Sequence, residues 1–180
     1  MKSIYLIIAV VFITSFSCKS ASSKVTDEQI KALEVLVDNR NFTIESNWAY
    51  PQTTAATQRV LNSGLLPAGS SSGAINLIGN SNFLTISGDS ISSYLPYYGE
   101  RQMNVGYGGN DAAIQFKGLV ENYTVSKGKG NSYTVSCDAQ SKSERFKVII
   151  KLFPTFKSYI TLTGTSRNSI SYSGKVKSSD

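Results

Sequence analysis

Residues 145–152, RFKVIIKL, narrow more than any other stretch what this chain can fold into. Phe146, Val148, Ile150 and Leu152 fall at every second position, with Arg145, Lys147 and Lys151 between them. A period of two puts the apolar set on one side of an extended strand and the charges on the other. Such a strand belongs to an antiparallel sheet with one covered face and one solvated face. Shorter versions of the pattern recur at residues 74–78, 83–87, 90–94, 113–117, 123–126, 132–139, 158–163 and 169–173. Turn chemistry separates them: Asn80-Ser-Asn82, Gly88-Asp89, Gly128 with Gly130 and Asn131, then Pro154. The expected class is mainly β, a single antiparallel meander closed as a sandwich or a barrel-like sheet.

One helix precedes the sheet. Thr26-Asp-Glu-Gln29 fits a capping box, and Ile30, Leu33, Leu36 and Val37 follow at helical spacing. Asp27 and Glu28 complement the dipole of a helix over residues 27–39, which ends where asparagine can turn left-handed. Its polar face mixes Lys31, Glu34 and Asp38, which suits packing onto the sheet better than lying on a membrane. Residues 42–50 then alternate as a strand, with Phe42, Ile44 and Trp48 on one face and Pro51 closing it. Residues 52–73 are the least regular, with a helical turn expected near 55–61.

Before the helix, Lys2, an apolar run over residues 4–13 and the small polar Thr14-Ser-Phe-Ser17 describe a secretory signal peptide. The apolar run is too short to span a bilayer. Cys18 follows, and Ser-Phe-Ser-Cys resembles a relaxed bacterial lipobox, which implies lipidation of Cys18. The chain thus divides into a signal peptide at 1–17, a lipidated tether at 18–25 and one β-rich domain at 26–180. The tether carries no acidic pair, which points to the periplasmic side of the outer membrane. With Cys18 acylated, Cys137 has no partner for a bridge, and its phase with Tyr133 and Val135 makes it a buried apolar side chain.

Several chemistries are disfavoured. The chain has no histidine, which removes imidazole triads and the commonest metal ligand. A net charge of +6 without a basic cluster gives no nucleic-acid footprint. Ser126-Lys-Gly-Lys129 matches Ser-x-x-Lys, yet it falls in a hairpin turn and lacks companion motifs. Gly106-Tyr-Gly-Gly109 lacks the lysine of a phosphate loop. Glu100, Asp111 and Glu121 could form a carboxylate pair only if the fold brings them together. No metal-ligand spacing and no cofactor motif is present. The chain therefore reads as a non-enzymatic protein, with a carboxylate hydrolase as the weakest option.

The remaining candidate is residues 92–109, SSYLPYYGERQMNVGYGG. Tyr94, Tyr97, Tyr98 and Tyr107, with Glu100 and Arg101, offer flat apolar faces and polar tips for a saccharide, a small apolar ligand or an envelope protein. The competing reading is a corner, with two tyrosines in the core and the glycines making the turn. Tyr94-Leu-Pro-Tyr-Tyr-Gly-Glu-Arg101, then Tyr107-Gly-Gly, then Arg167-Asn-Ser-Ile-Ser-Tyr-Ser-Gly-Lys175, resemble the domain-of-unknown-function family 4251. The resemblance spans residues 27–177 and departs most over 52–73. It implies an envelope lipoprotein of Bacteroidota-type bacteria and supplies no active site. The expected function is a lipid-anchored periplasmic binding module, or alternatively a lipocalin-like carrier with apolar cargo inside the barrel.

Overall fold

A computed structural model describes residues 25–55, 58–59, 63–64, 66–71, 73–102, 113–142 and 144–179. The helix α1 (Asp27–Asp38) begins at a complete capping box. The Thr26 hydroxyl accepts the Gln29 N–H at 3.3 Å, and the Gln29 side chain accepts the Thr26 N–H at 3.1 Å. Leu33 and Val37 are buried, and α1 lies on the first strand. Its exit differs from expectation: Asn39 stays right-handed at φ −73° and Arg40 takes the positive φ of 48°. The guanidinium of Arg40 rests 4.4 Å from the Tyr123 ring centroid, a contact that favours arginine there.

The strands are β1 (Asn41–Pro51), β2 (Ile75–Asn76), β3 (Phe83–Ser87), β4 (Ser90–Pro96) and β5 (Ala113–Leu119), then β6 (Glu121–Lys127), β7 (Tyr133–Gln140), β8 (Arg145–Leu152), β9 (Lys157–Gly164) and β10 (Ile170–Ser178). All pair antiparallel in one sheet ordered β5-β4-β3-β1-β10-β9-β8-β7-β6, with β2 added beside β1. Of the two closures that alternation allows, the chain adopts the nearly closed barrel. β8 buries Phe146, Val148, Ile150 and Leu152 and exposes the residues between them. The segment at 74–78 forms only a two-residue strand, because its neighbours turn through Gly79 at φ 85°.

The barrel closes through an unusual device. β5 and β6 stand at opposite ends of the strand order, yet only Val120 separates them in the chain. Residues 113–127 therefore act as one bent ribbon whose first half pairs β4 and whose second half pairs β7. No ladder among the described residues joins β5 to β7, so a seam remains beside the first half.

β1 lies at the centre of the sheet and carries a bulge. Ser46 pairs Gly174 and Trp48 pairs Ser173, which leaves Asn47 over. The extra residue reverses the phase of everything after it. Phe42, Ile44 and Ser46 point inward, but then Ala49 and Pro51 do, and Trp48 is only half-buried. This corrects the expectation that Trp48 shares the face of Phe42 and Ile44. The inner faces form one continuous core with Phe42, Phe146 and Tyr172 among its largest buried side chains.

The register defines two ends. At one, α1 meets the start of β7: the Tyr133 hydroxyl donates to the Glu34 carboxylate at 3.0 Å. The other gathers the ends of β1, β4 and β7 and the starts of β8 and β10.

Candidate functional site

The second end is built from the tyrosine-rich stretch. β4 runs to Pro96, and the chain then turns across the barrel mouth. The Tyr97 ring folds back over Gly99, where a Cβ would collide with its hydroxyl. That hydroxyl donates to the Glu100 carbonyl at 2.8 Å and the Asn168 carbonyl at 3.0 Å. The Asn168 N–H donates to the Glu100 carbonyl at 3.0 Å, and the Gln102 N–H to the Ser166 carbonyl at 2.9 Å. Arg101 and Arg167 form an isolated antiparallel bridge. Deeper in, the Tyr172 hydroxyl donates to the Pro96 carbonyl at 2.8 Å.

Under this corner lies a buried ion pair. Arg167 Nε donates to Glu144 Oε2 at 2.8 Å, with the side chains 7% and 2% exposed. Glu144 Oε1 accepts the Ser166 N–H at 3.0 Å. The guanidinium sits between two rings, 4.8 Å from the Tyr97 centroid and 5.4 Å from that of Phe146. Arg167 Nη1 is shut away from water and has no hydrogen-bond partner among the described residues.

Beside this end, along the seam, a cleft of about 970 Å3 runs across β4 and β5 toward the β7–β8 turn. That is ample for a small ligand. Phe83, Tyr94, Phe116 and Phe146 supply its apolar surface. Lys117, Lys142 and Arg167 supply positive charge, and no carboxylate lines it among the described residues.

The expected site residues are thus dispersed. Tyr94 is exposed on the cleft wall, 40% accessible. Tyr97 belongs to the buried corner, and burial pushes its hydroxyl from 10.0 up to about 12 despite the opposing charge of Arg167. Tyr98 is half-buried against the core, which raises its hydroxyl. Glu100 contributes its carbonyl, and Arg101 contributes the bridge to Arg167. Tyr107, Cys18, Asp111 and residues 106–109 lie outside the described residues. Glu121 is exposed at the start of β6, and no hydrogen bond or ion pair among the described residues joins it to Glu100. Ser126 turns its hydroxyl to the Thr134 carbonyl at 3.5 Å, and Lys129 opens a 3-10 turn at the α1 end. Among the described residues no cluster of three acidic, cysteine or histidine side chains could hold a metal.

Glu144 and Arg167 are the pair that sequence reasoning missed. Glu144 immediately precedes a strand, where a carboxylate ordinarily reads as solvated. Arg167 offered the one usable signal, since it opens the last stretch of the resemblance.

The sequence profile of the family described as Domain of unknown function (DUF4251) matches residues 24–176. The chain belongs to the DUF4251 family. A solved DUF4251 family protein from Bacteroides eggerthii DSM 20697 superposes with a TM-score of 0.57 at 13% identity, covering 84% of this chain and 88% of that one. At that identity the likeness speaks for the fold. No curated protein matches the sequence. In this DUF4251 chain the stretches at 94–101 and 167–175 bind each other across the barrel mouth. Both stretches are engaged in building this corner.

Cys137 of the DUF4251 barrel is 1% exposed on β7, and burial, aided by Asp138, pushes its thiol from 9.0 up to about 12. Cys137 of the native protein is expected to resist maleimide at pH 8 and to react once the chain is unfolded in urea. The unfolded thiol and tyrosines release protons earlier than the folded ones. Stability is therefore complete below pH 9.0 and falls as pH climbs toward about 12, with Cys137 and Tyr97 both contributing. Urea midpoints at pH 8 and pH 11 check this, and equal midpoints would contradict it.

Proposed function

We propose that this protein is a lipid-anchored, non-enzymatic binding module on the periplasmic side of the outer membrane, with its ligand seated in the seam cleft. The observation that carries the binding half is the cleft itself: an open concavity with an exposed tyrosine on its wall and aromatic rings beneath. The lipocalin-like alternative would put cargo between the strands. There Phe42, Ile44 and Tyr172 already fill the interior, so the seam is the better seat. The anchoring half rests on Lys2, the apolar run and Cys18.

Two measurements test the two halves. Cells fed alkyne-palmitate are expected to label the wild-type chain and not Cys18→Ala, and equal labelling of both removes the anchor. For the cleft, 4-phenylbutan-1-ol serves as a neutral probe for ligand-observed NMR with the full chain in nanodiscs of neutral lipid. Tyr94→Ala is expected to weaken its binding about threefold or more, in line with loss of an aromatic wall. An unaltered signal would move the ligand elsewhere.

A further inference from the structure

We infer that the seam cleft selects an amphiphilic anion, a carboxylate carried on an apolar or aromatic body, with Arg167 as the residue that receives the acid group. This rests on the cleft being the binding site and specifies its ligand class. The wall offers Lys117 and Lys142 at the exposed rim and Arg167 at the buried floor, with aromatic side chains between them. Glu144, the carboxylate paired with Arg167, has both oxygens engaged, one by Arg167 Nε and one by the Ser166 N–H. It therefore holds the guanidinium in place and leaves Nη1 without a hydrogen-bond partner among the described residues.

A buried donor without an acceptor is costly, and a charged one more so. The surrounding geometry explains how that state is held. Tyr97 and Phe146 flank the guanidinium through their rings, which attract the cation without accepting its N–H groups in line. Nη1 is closed to water in this structure, so a ligand carboxylate would have to open the floor of the cleft to reach it, and would then give it a charge-assisted partner, the strongest class of such bonds. Its apolar body would lie along Phe116 and Tyr94, and the rim lysines would steer it in. A bare anion would gain the charge and forgo the aromatic wall. A neutral analogue would gain the wall alone.

The test uses the full chain in neutral nanodiscs with three probes: 4-phenylbutyrate, 4-phenylbutan-1-ol and acetate. The acid is expected to bind about tenfold or more tighter than the alcohol, the scale of a hydrogen bond to a charged group, and acetate far more weakly than either. Arg167→Lys, which keeps a cation beside Glu144 and removes Nη1, should abolish the preference for acid over alcohol. Lys117→Gln with Lys142→Gln should weaken the acid about threefold and spare the alcohol, as expected for exposed charges. Should Arg167→Lys melt early, the lysine pair and the salt dependence of acid binding carry the test. An acid that binds no tighter than the alcohol, or as weakly as acetate, overturns the anion inference while leaving the binding module standing. Failure of both acid and alcohol to bind removes the module and the inference together.

Discussion

Replacing Glu144 by alanine is expected to destabilise the protein by about 3–5 kcal/mol, the cost of leaving a buried charge without its partner. Glu144 and Arg167 are 2% and 7% exposed, so water cannot substitute for the lost carboxylate. The substitution also strands the Ser166 N–H, which Glu144 Oε1 accepts. Among the described residues, the Arg167 guanidinium would be left with the faces of two rings. For a chain of this size the loss lowers the melting temperature by roughly 6–20 °C. Replacing both members by methionine removes both charges and is expected to recover most of the stability. Urea unfolding of the two variants decides the matter. A loss below about 1 kcal/mol for Glu144→Ala would place the pair among solvated surface bridges.

The second large effect is expected at Gly174, in the middle of β10. A Cβ there would collide with the Glu45 carbonyl and the Ser46 Cα, both backbone atoms that cannot swing aside. This approach is close because the β1 bulge lies opposite, with Ser46 aligned on Gly174. Buried Asn82 brackets the same place: its side chain accepts the Ser46 N–H at 2.8 Å and donates to the Ser46 carbonyl at 2.9 Å. Gly174→Ala is expected to cost on the order of 3 kcal/mol, at the upper end of overpacking penalties, and Gly174→Val more. Equilibrium denaturation measures the cost, and amide NMR should show the disturbance centred on residues 45–48. Ser173→Ala removes only the hydroxyl contact to Tyr50 and is the mild control. Equal losses for Gly174→Ala and Ser173→Ala would refute the close-approach account.

Alternation made the strands of the second half legible, because each buries one face against a common core. β8 shows its apolar phase unbroken over eight residues. The capping box made the start of α1 legible for the same kind of reason, since local hydrogen bonds specify it. β1 was legible only to its midpoint. The bulge at Asn47 is set by Gly174, well over a hundred residues away, and no local pattern announces the change of phase. Barrel closure was equally hidden, since Val120 alone separates two strands with different partners. The candidate site divides along the same line. Tyr94 was picked out only as one of four tyrosines in a rich stretch, and its place on the cleft wall comes from the pairing of β4 with β5. Glu144 and Arg167 could not be picked out, because the rings that cover the guanidinium, Tyr97 just past β4 and Phe146 on β8, meet over Arg167 only in the folded barrel. The tyrosines that looked most like a ligand platform turned out to include one, Tyr97, that fastens the mouth of the barrel.

The position of β10 also governs when the protein can fold. It pairs β1 on one side and β9 on the other, so it lies in the middle of the sheet. Until β10 has left the ribosome, the β3–β5 hairpins and the β6–β9 run have no strand to join them through β1. The two halves form from neighbouring segments, but their union waits for contacts between Phe42 and Ser178. Synthesis alone therefore keeps the sheet open between β1 and β9 until the C-terminal strand is made.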